Sequence, residues 1–139
     1  RELLELGIAE ISEGLPVVKI DEKLGLTEPT YRTMPILRSD GSSLYSTKDL
    51  ALTKRKFEEF GIDRAIWVVD VRQALYFQQI FKTLELAGYP WADRCLHLNY
   101  EIVNLPGNVD MASRDGTVVL LENLIREAIP RSRQVFPSA

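Results

Sequence analysis

The chain has 139 residues, of which 45% are hydrophobic and 27% charged, a composition that suits one folded domain and excludes a disordered chain. Its formal net charge of −3 argues against a general nucleic-acid coat, since such proteins are normally basic. The single cysteine, Cys95, excludes an internal disulfide and fits a reducing, cytoplasmic setting, and no apolar run or signal peptide predicts membrane insertion or export.

The first residues predict a short helix. Apolar residues recur at helical spacing over residues 2–12, although Gly7 weakens the pattern. We expect Glu13 and Gly14 to end this helix. A strand-like run follows at residues 17–20.

A small antiparallel ribbon is predicted next. Residues 21–33 are polar and indicate a loop, and residues 34–37 form a second strand-like run. A turn cluster containing Asp-Gly follows at residues 39–43. If the flanking runs pair, residues 15–45 form the ribbon.

Helices and strands then alternate. Thr47 is predicted to be the N-cap of a helix that ends at Gly61, with Asp49 in its first turn. The continuous apolar run at residues 65–69 predicts a strand buried on both faces, as in a parallel sheet. Residues 72–87 return to helical spacing.

A further strand, loop and helix complete the pattern. They are expected at residues 94–103, 104–116 and 118–129, with Pro130 ending the helix. The order strand–helix–strand predicts an α/β fold with right-handed crossovers and a Rossmann-like parallel sheet. We divide the chain into a helix and β-ribbon, the α/β segment and a frayed polar tail, at residues 1–46, 47–130 and 131–139.

Three polar residues form the first candidate site. Ligands of parallel sheets bind beyond the carboxyl ends of the strands, and Gln73 follows the first buried strand. Tyr45 and Asp49 are four residues apart, a spacing that can place both on one side of a helix. A phenol, a carboxylate and an amide together suit a planar cation such as guanidinium. The alternative is that Asp49 only favours the helix start and Tyr45 is only a rim aromatic.

The loop at residues 108–116 is a second candidate site. Its backbone N–H groups, the Ser113 hydroxyl and the Arg114 guanidinium could bind phosphate. Asp110 and Asp115 oppose this role by charge repulsion, and a plain surface loop is the alternative. His97 is the only histidine, and a lone histidine in a strand is more often a core or edge residue than a ligand. We expect no metal site, because zinc normally needs more histidine and cysteine ligands.

Three segments together resemble arginyl-tRNA synthetases, a class I family. DGSSLYSTKDLA at 40–51 is similar to the family pattern D-G-T-x-x-Y-x-T-x-D-L-A. IDRAIWVVDVRQALYFQQIFKTLELAGY at 62–89 resembles its strand–loop–helix. HLNYEIVNLPGNVDMASRDGTVVLLENLI at 97–125 resembles its last strand and signature loop, where MASRDGTVV replaces M-S-T-R-x-G and a valine pair. The order and spacing match over most of the chain.

The resemblance implies the distal half of a HUP-type nucleotide-binding domain in an arginine–tRNA ligase. Tyr45, Asp49 and Gln73 match the residues that hold arginine, and Ser113 and Arg114 would act near the phosphates during catalysis. ATP would be a substrate carrying Mg²⁺ on its phosphates, and tRNA would be bound through the full-length protein. The implied ATP-site residues are His97, Met111, Ala112, Ser113, Arg114 and Gly116.

Departures from the family pattern leave a second function open. Ala112 and Asp115 replace a usual serine and a usual basic residue, and the H-I-G-H motif is absent from this sequence. The chain opens on Arg1, so we expect a fragment that is inactive in isolation and that self-associates through surface normally covered by its missing half. The alternatives are a non-catalytic synthetase-derived binding or scaffold module and an unrelated α/β nucleotide-binding protein.

Overall fold

A computed structural model describes residues 1–101 and 119–135 of the chain. Two compact units are present, Arg1–Glu101 and Ile102–Ala139. The first unit contains all five described strands and four of the described helices, joined by two short 3-10 turns. In chain order the elements are α1 (Glu2–Glu5), β1 (Glu10–Ser12), β2 (Leu15–Lys19), α2 (Ile20–Leu24), β3 (Thr33–Pro35), α3 (Tyr45–Glu58), β4 (Ala65–Asp70), α4 (Ala74–Leu86), β5 (Cys95–Tyr100) and α5 (Leu121–Val135).

The N-terminal helix is much shorter than the sequence predicted. It ends at Glu5, and Gly7 follows with a φ of 68°, a left-handed conformation that breaks helices. Glu13 and Gly14 also have positive φ, at 51° and 80°, which is typical of a two-residue hairpin turn. The predicted helix over residues 2–12 is therefore wrong beyond Glu5, because this turn pairs the later residues as β1 against β2.

The antiparallel ribbon is confirmed and gains a third strand. The sheet order is β1-β2-β3, and Val18 in β2 is paired with Met34 in β3. The predicted loop over residues 21–33 is wrong at its start, because α2 occupies Ile20–Leu24. Gly25, with a φ of 67°, ends that helix in the left-handed conformation common at helix C-termini.

The long helix α3 begins three residues earlier than the sequence predicted. Leu44 is its N-cap and Tyr45 its first residue. The prediction of Thr47 as N-cap is wrong, because Thr47 lies inside the first turn of α3 and its hydroxyl donates to the carbonyl of Ile36 instead of accepting a backbone N–H at the helix start. Asp49 consequently lies in the second turn of α3 and not in the first.

The predicted βαβ unit is confirmed. β4 and β5 are parallel neighbours, with Trp67 in register with His97, and α4 connects them. A 3-10 turn, Val71–Gln73, separates β4 from α4. Gly88, with a φ of 81°, follows the end of α4. This arrangement places the carboxyl end of β4 directly before the first turn of α4.

The two faces of the β4–β5 sheet differ in exposure. Its inner face contacts α4, where the Trp67 ring centroid lies 5.1 Å from that of Phe81. On its outer face Ile66 and Val68 are 52% and 63% exposed. The prediction that residues 65–69 are buried on both faces is therefore wrong for the outer face.

One hydrophobic core joins the ribbon to α3, α4 and the sheet. Ile80 and Leu84 of α4 are each 1% exposed, and the rings of Phe57 and Trp91 stack with centroids 4.5 Å apart. Burial of these side chains is the main stabilising contribution to such a fold. The other buried core residues are Ala9, Val18, Ile20, Met34, Ile36, Leu50, Ala65 and Ala92.

The last helix, α5, continues past the residue expected to stop it. It runs from Leu121 to Val135 with Pro130 in its interior, so the predicted end at Pro130 is wrong. An i,i+4 ion pair between Arg131 and Glu127, 2.9 Å long, spans the proline and supports the helical turn there. Across residues 1–101 and 119–135, no helix is long and apolar enough to cross a membrane.

Candidate functional site at the starts of α3 and α4

The start of α3 is fixed to the ribbon by side-chain hydrogen bonds. The Ser46 hydroxyl donates to the carbonyl of Pro35 at 2.8 Å, and the Thr47 hydroxyl donates to the carbonyl of Ile36, the residue directly after β3. The phenol of Tyr45 remains 75% exposed, with the Lys48 ammonium 5.9 Å from its ring centroid. Tyr45 is thus held at a rigid helix start while its ring stays accessible.

Asp49 lies one turn further along α3 and contacts α4. The Tyr76 hydroxyl donates a hydrogen bond to Oδ2 of Asp49. The Thr53 hydroxyl donates to the backbone carbonyl of Asp49 at 2.7 Å, which ties the helix backbone at this point. Burial, and then the contact with Asp49, raise the pKa of Tyr76, so the phenol stays protonated at neutral pH. A half-buried carboxylate therefore stands between the starts of two helices.

Gln73 follows the carboxyl end of β4. It is the last residue of the 3-10 turn, is exposed and stands three residues before Tyr76, about one helical turn away. The turn is capped by Asp70, whose carboxylate accepts the backbone N–H of Arg72 at 2.8 Å and its guanidinium Nε at 3.0 Å. These hydrogen bonds lower the pKa of Asp70 and keep it charged. Gln73 therefore lies beyond the carboxyl end of β4, and ligands of parallel α/β sheets bind beyond the carboxyl ends of the strands.

His97 occupies the inner face of β5, beneath α4. Its Nε2 lies 2.9 Å from the carbonyl oxygen of Val69, and its ring centroid lies 4.7 Å from that of Phe77. Phe77 is the chain neighbour of Tyr76, so the histidine supports the same end of α4. Both contacts are those of a residue satisfied within the fold, and the expected proximity of His97 to a nucleotide stays a prediction.

The predicted phosphate loop lies outside the described residues. Met111, Ala112, Ser113, Arg114 and Gly116 all belong to that part of the chain. Among residues 1–101 and 119–135, no group of three or more His, Cys, Asp or Glu side chains is placed to hold a metal ion.

Tyr76 is the residue of this site that the sequence interpretation missed. Its helical spacing assigned it to the apolar stripe of α4, where Tyr commonly packs. The only sequence signal was its position three residues after Gln73, on the same end of the same helix. The hydroxyl contact with Asp49 joins side chains 27 residues apart and required the packing of α3 on α4.

A separate cavity of about 210 Å³ lies between α1, α3 and the ribbon. Its lining is mostly apolar and includes Leu50, while Lys54 and Tyr89 stand at its edge. Both of these side chains contact the Glu2 carboxylate, the Lys54 ammonium at 2.6 Å and the Tyr89 hydroxyl at 2.7 Å. These bonds lower the pKa of Glu2 and fasten α1 against α3. The cavity is therefore a packing feature next to the N-terminus, and Asp49 and Gln73 are not among its lining residues.

Comparisons of sequence point to one family. Residues 1–137 match the sequence model of the family described as tRNA synthetases class I (R), catalytic domain. The arginine–tRNA ligase of Bdellovibrio bacteriovorus is 42% identical over 126 residues, which cover 90% of this chain and 20% of the relative. The arginine–tRNA ligase of Clostridium perfringens is 39% identical over 137 residues, covering 97% of this chain and 23% of the relative. The chain thus spans about a fifth of the length of these curated relatives.

Comparisons of structure give the same fold. The arginyl-tRNA synthetase of Thermus thermophilus superposes with a TM-score of 0.61 at 23% identity, covering 99% of this chain and 28% of that chain. The arginyl-tRNA synthetase of Plasmodium falciparum superposes with a TM-score of 0.60 at 18% identity, covering 96% and 20%. At these identities the likeness establishes the fold.

Proposed function

Because the chain belongs to the class I tRNA synthetase family for arginine, as its match over residues 1–137 shows, we propose that it is part of an arginine–tRNA ligase. The full protein would activate arginine with ATP and transfer it to tRNA. Since the chain spans about a fifth of its curated relatives, it would supply one part of the catalytic domain and would not catalyse this reaction alone. The observation that carries the proposal is the half-buried Asp49 carboxylate between the starts of α3 and α4.

Asp49 is the proposed partner of the arginine guanidinium. A carboxylate and a guanidinium pair through two parallel hydrogen bonds, which give both strength and a fixed orientation. The Tyr76 hydroxyl uses only part of the acceptor capacity of Oδ2, so both carboxylate oxygens can still accept from a substrate. Tyr45 would cover the side chain of the bound arginine with its exposed ring. Gln73 would form a hydrogen bond with the arginine at the carboxyl end of β4.

ATP is proposed to bind the signature loop. Backbone N–H groups from Met111 to Gly116, the Ser113 hydroxyl and the Arg114 guanidinium would stabilise negative charge on the phosphates, and His97 would lie near the nucleotide. Mg²⁺ would enter on the ATP phosphates. Catalysis would then depend on position and charge, with arginine and the α-phosphate held in line.

The proposed partners and location follow from the same assignment. tRNA would be bound by the full-length protein, because this chain is acidic overall. The isolated chain would self-associate through the exposed outer face of β4 and β5. A cytoplasmic location is supported by the chain having a single cysteine, which remains a free thiol.

Calorimetric titration of the 139-residue chain with L-arginine tests the proposal. We expect Asp49→Asn to bind arginine at least about tenfold more weakly than wild type, because a charged hydrogen-bonded pair is worth roughly 1.5–3 kcal/mol. Asparagine keeps the shape of the side chain and can still accept a hydrogen bond from Tyr76. A loss of arginine affinity would therefore result from removal of the negative charge. Asp63→Asn, at an exposed loop position, is the matched control and should bind as wild type does. Equal affinity of wild type and Asp49→Asn, or no binding by wild type, would contradict an arginine site in this chain.

A further inference from the structure

The start of α4 packs on the β4–β5 sheet through aromatic rings. Phe77, 4% exposed, packs its ring against Trp67 and His97 of the sheet, with centroids 5.9 and 4.7 Å away. The ring of Tyr76 meets that of Phe77 edge to face, at 5.2 Å and 79°. The direction of the Tyr76 hydroxyl is therefore set by the packing of the first turn of α4 on the sheet.

The carboxylate that this hydroxyl meets belongs to Asp49 of α3. Asp49 lies on the second turn of α3, where its backbone is fixed by α3 and by the Thr53 hydroxyl. Its side chain, however, has two rotatable bonds of its own. The hydrogen bond from Tyr76 to Oδ2 selects one orientation of the carboxyl plane.

We propose that Tyr76 is a positioning residue, whose hydroxyl holds the Asp49 carboxylate in one rotamer, ready to receive a planar cation. The proposal rests on the assignment of Asp49 to the arginine pocket. A guanidinium requires both carboxylate oxygens in its own plane, and an ordered carboxylate loses less conformational entropy when the pair forms. Tyr76 also links Asp49 to the end of α4 that carries Gln73, so the two predicted arginine contacts share one rigid support.

The positioning role can be measured without any ligand. Three-bond scalar couplings from the backbone ¹⁵N and carbonyl ¹³C of Asp49 to its Cγ report the χ1 rotamer in the 139-residue chain. Wild type should show the couplings of a single rotamer. Tyr76→Phe, which removes one oxygen and keeps the ring, should show couplings averaged over rotamers. Tyr31→Phe is the matched control and should leave the Asp49 couplings unchanged, and preserved amide spectra of the core residues would show that each variant is folded.

Titration with arginine then links position to binding. Tyr76→Phe should bind arginine about 3- to 10-fold more weakly than wild type, the range expected for loss of one hydrogen bond. Averaged couplings in wild type, or unchanged couplings in Tyr76→Phe, would overturn the positioning role whatever the affinity. If Tyr76→Phe shows averaged couplings but binds arginine as tightly as wild type does, the positioning role is also overturned. If wild type binds no arginine, the proposed arginine pocket fails, and the couplings alone still decide whether Tyr76 orders Asp49.

Discussion

The inner and outer faces of the β4–β5 sheet carry similar apolar residues but have different surroundings. The inner face, with Trp67 and His97, lies under α4 and supports the candidate site. The outer face presents Ile66, Leu96 and Leu98 at exposures of 52%, 46% and 53%. Parallel strands are normally covered on both faces, so an exposed outer face indicates a surface built to be covered. Sequence alternation alone does not distinguish a packed face from an exposed one.

The largest difference between the faces should appear in stability. Ile80→Ala removes a core side chain of α4, the helix that covers the inner face. This side chain is 1% exposed, and we expect its loss to lower the free energy of unfolding by about 2–5 kcal/mol. Ile66→Ala makes the same chemical change on the outer face and should cost about 1 kcal/mol or less, since its side chain is already exposed. Urea unfolding followed by tryptophan fluorescence measures both. Similar losses for the two variants would mean that the outer face is covered in solution.

The reaction rates of cysteines at neighbouring positions of β5 compare the two faces of the sheet. Burial, with a smaller contribution from Asp93, raises the pKa of Cys95 on the inner face from its ordinary 9.0 to about 11. At pH 8 we expect Cys95 to react with iodoacetamide roughly a hundredfold more slowly than a cysteine of ordinary pKa, because the thiolate is the nucleophile. The double variant Cys95→Ala, Leu96→Cys moves the thiol to the outer face and should react at the ordinary rate. Equal rates at the two positions would contradict the burial of Cys95.

The same raised pKa gives a stability window with a defined sign. The folded state favours the neutral thiol, so its contribution is fully present below about pH 9 and is lost as the pH rises towards about 11. The stability of wild type relative to Cys95→Ala should therefore fall across this range. A difference that does not change with pH would contradict the shift.

Charges placed on the outer face test the proposed self-association. The double variant Val68→Lys, Leu98→Lys should lose about 1–2 kcal/mol, since both side chains are more than half exposed but the two new charges lie in register on neighbouring strands. In sedimentation velocity we expect wild type to gain mass with concentration and the double variant to remain a monomer. Ile11→Lys, at a 62% exposed apolar residue of the ribbon, is the control and should behave as wild type. Monomeric wild type at all concentrations would remove the proposed self-association.

Several elements could be predicted because their signals are local. The βαβ unit follows from an apolar run, a helical stripe and a second strand in order, and β4, α4 and β5 confirm it. Errors occurred where a local signal had two meanings. Glu13-Gly14 is equally suited to end a helix or to turn a hairpin, and the pairing of β1 with β2 decided between them. Pro130 weakens a helix without forbidding it, and α5 continues through it.

Some residues of the candidate site could be predicted from local sequence and one could not. Tyr45, Asp49 and Gln73 could be proposed from sequence because each sits in a motif with a fixed spacing from its own helix or strand. Tyr76 could not, because its hydroxyl acts on a carboxylate 27 residues away in another helix. No spacing rule within one element reports which side chains of two packed helices meet.

The sequence by itself determined the α/β class, the parallel pair and the family, because periodicity and ordered motifs are properties of neighbouring residues along the chain. Only the tertiary structure decided that Tyr76 meets Asp49 and that one face of the β4–β5 sheet is packed while the other is exposed. Both depend on which elements become neighbours in space. That choice depends on packing across the whole core, where contacts between distant residues outweigh the preference of any single segment.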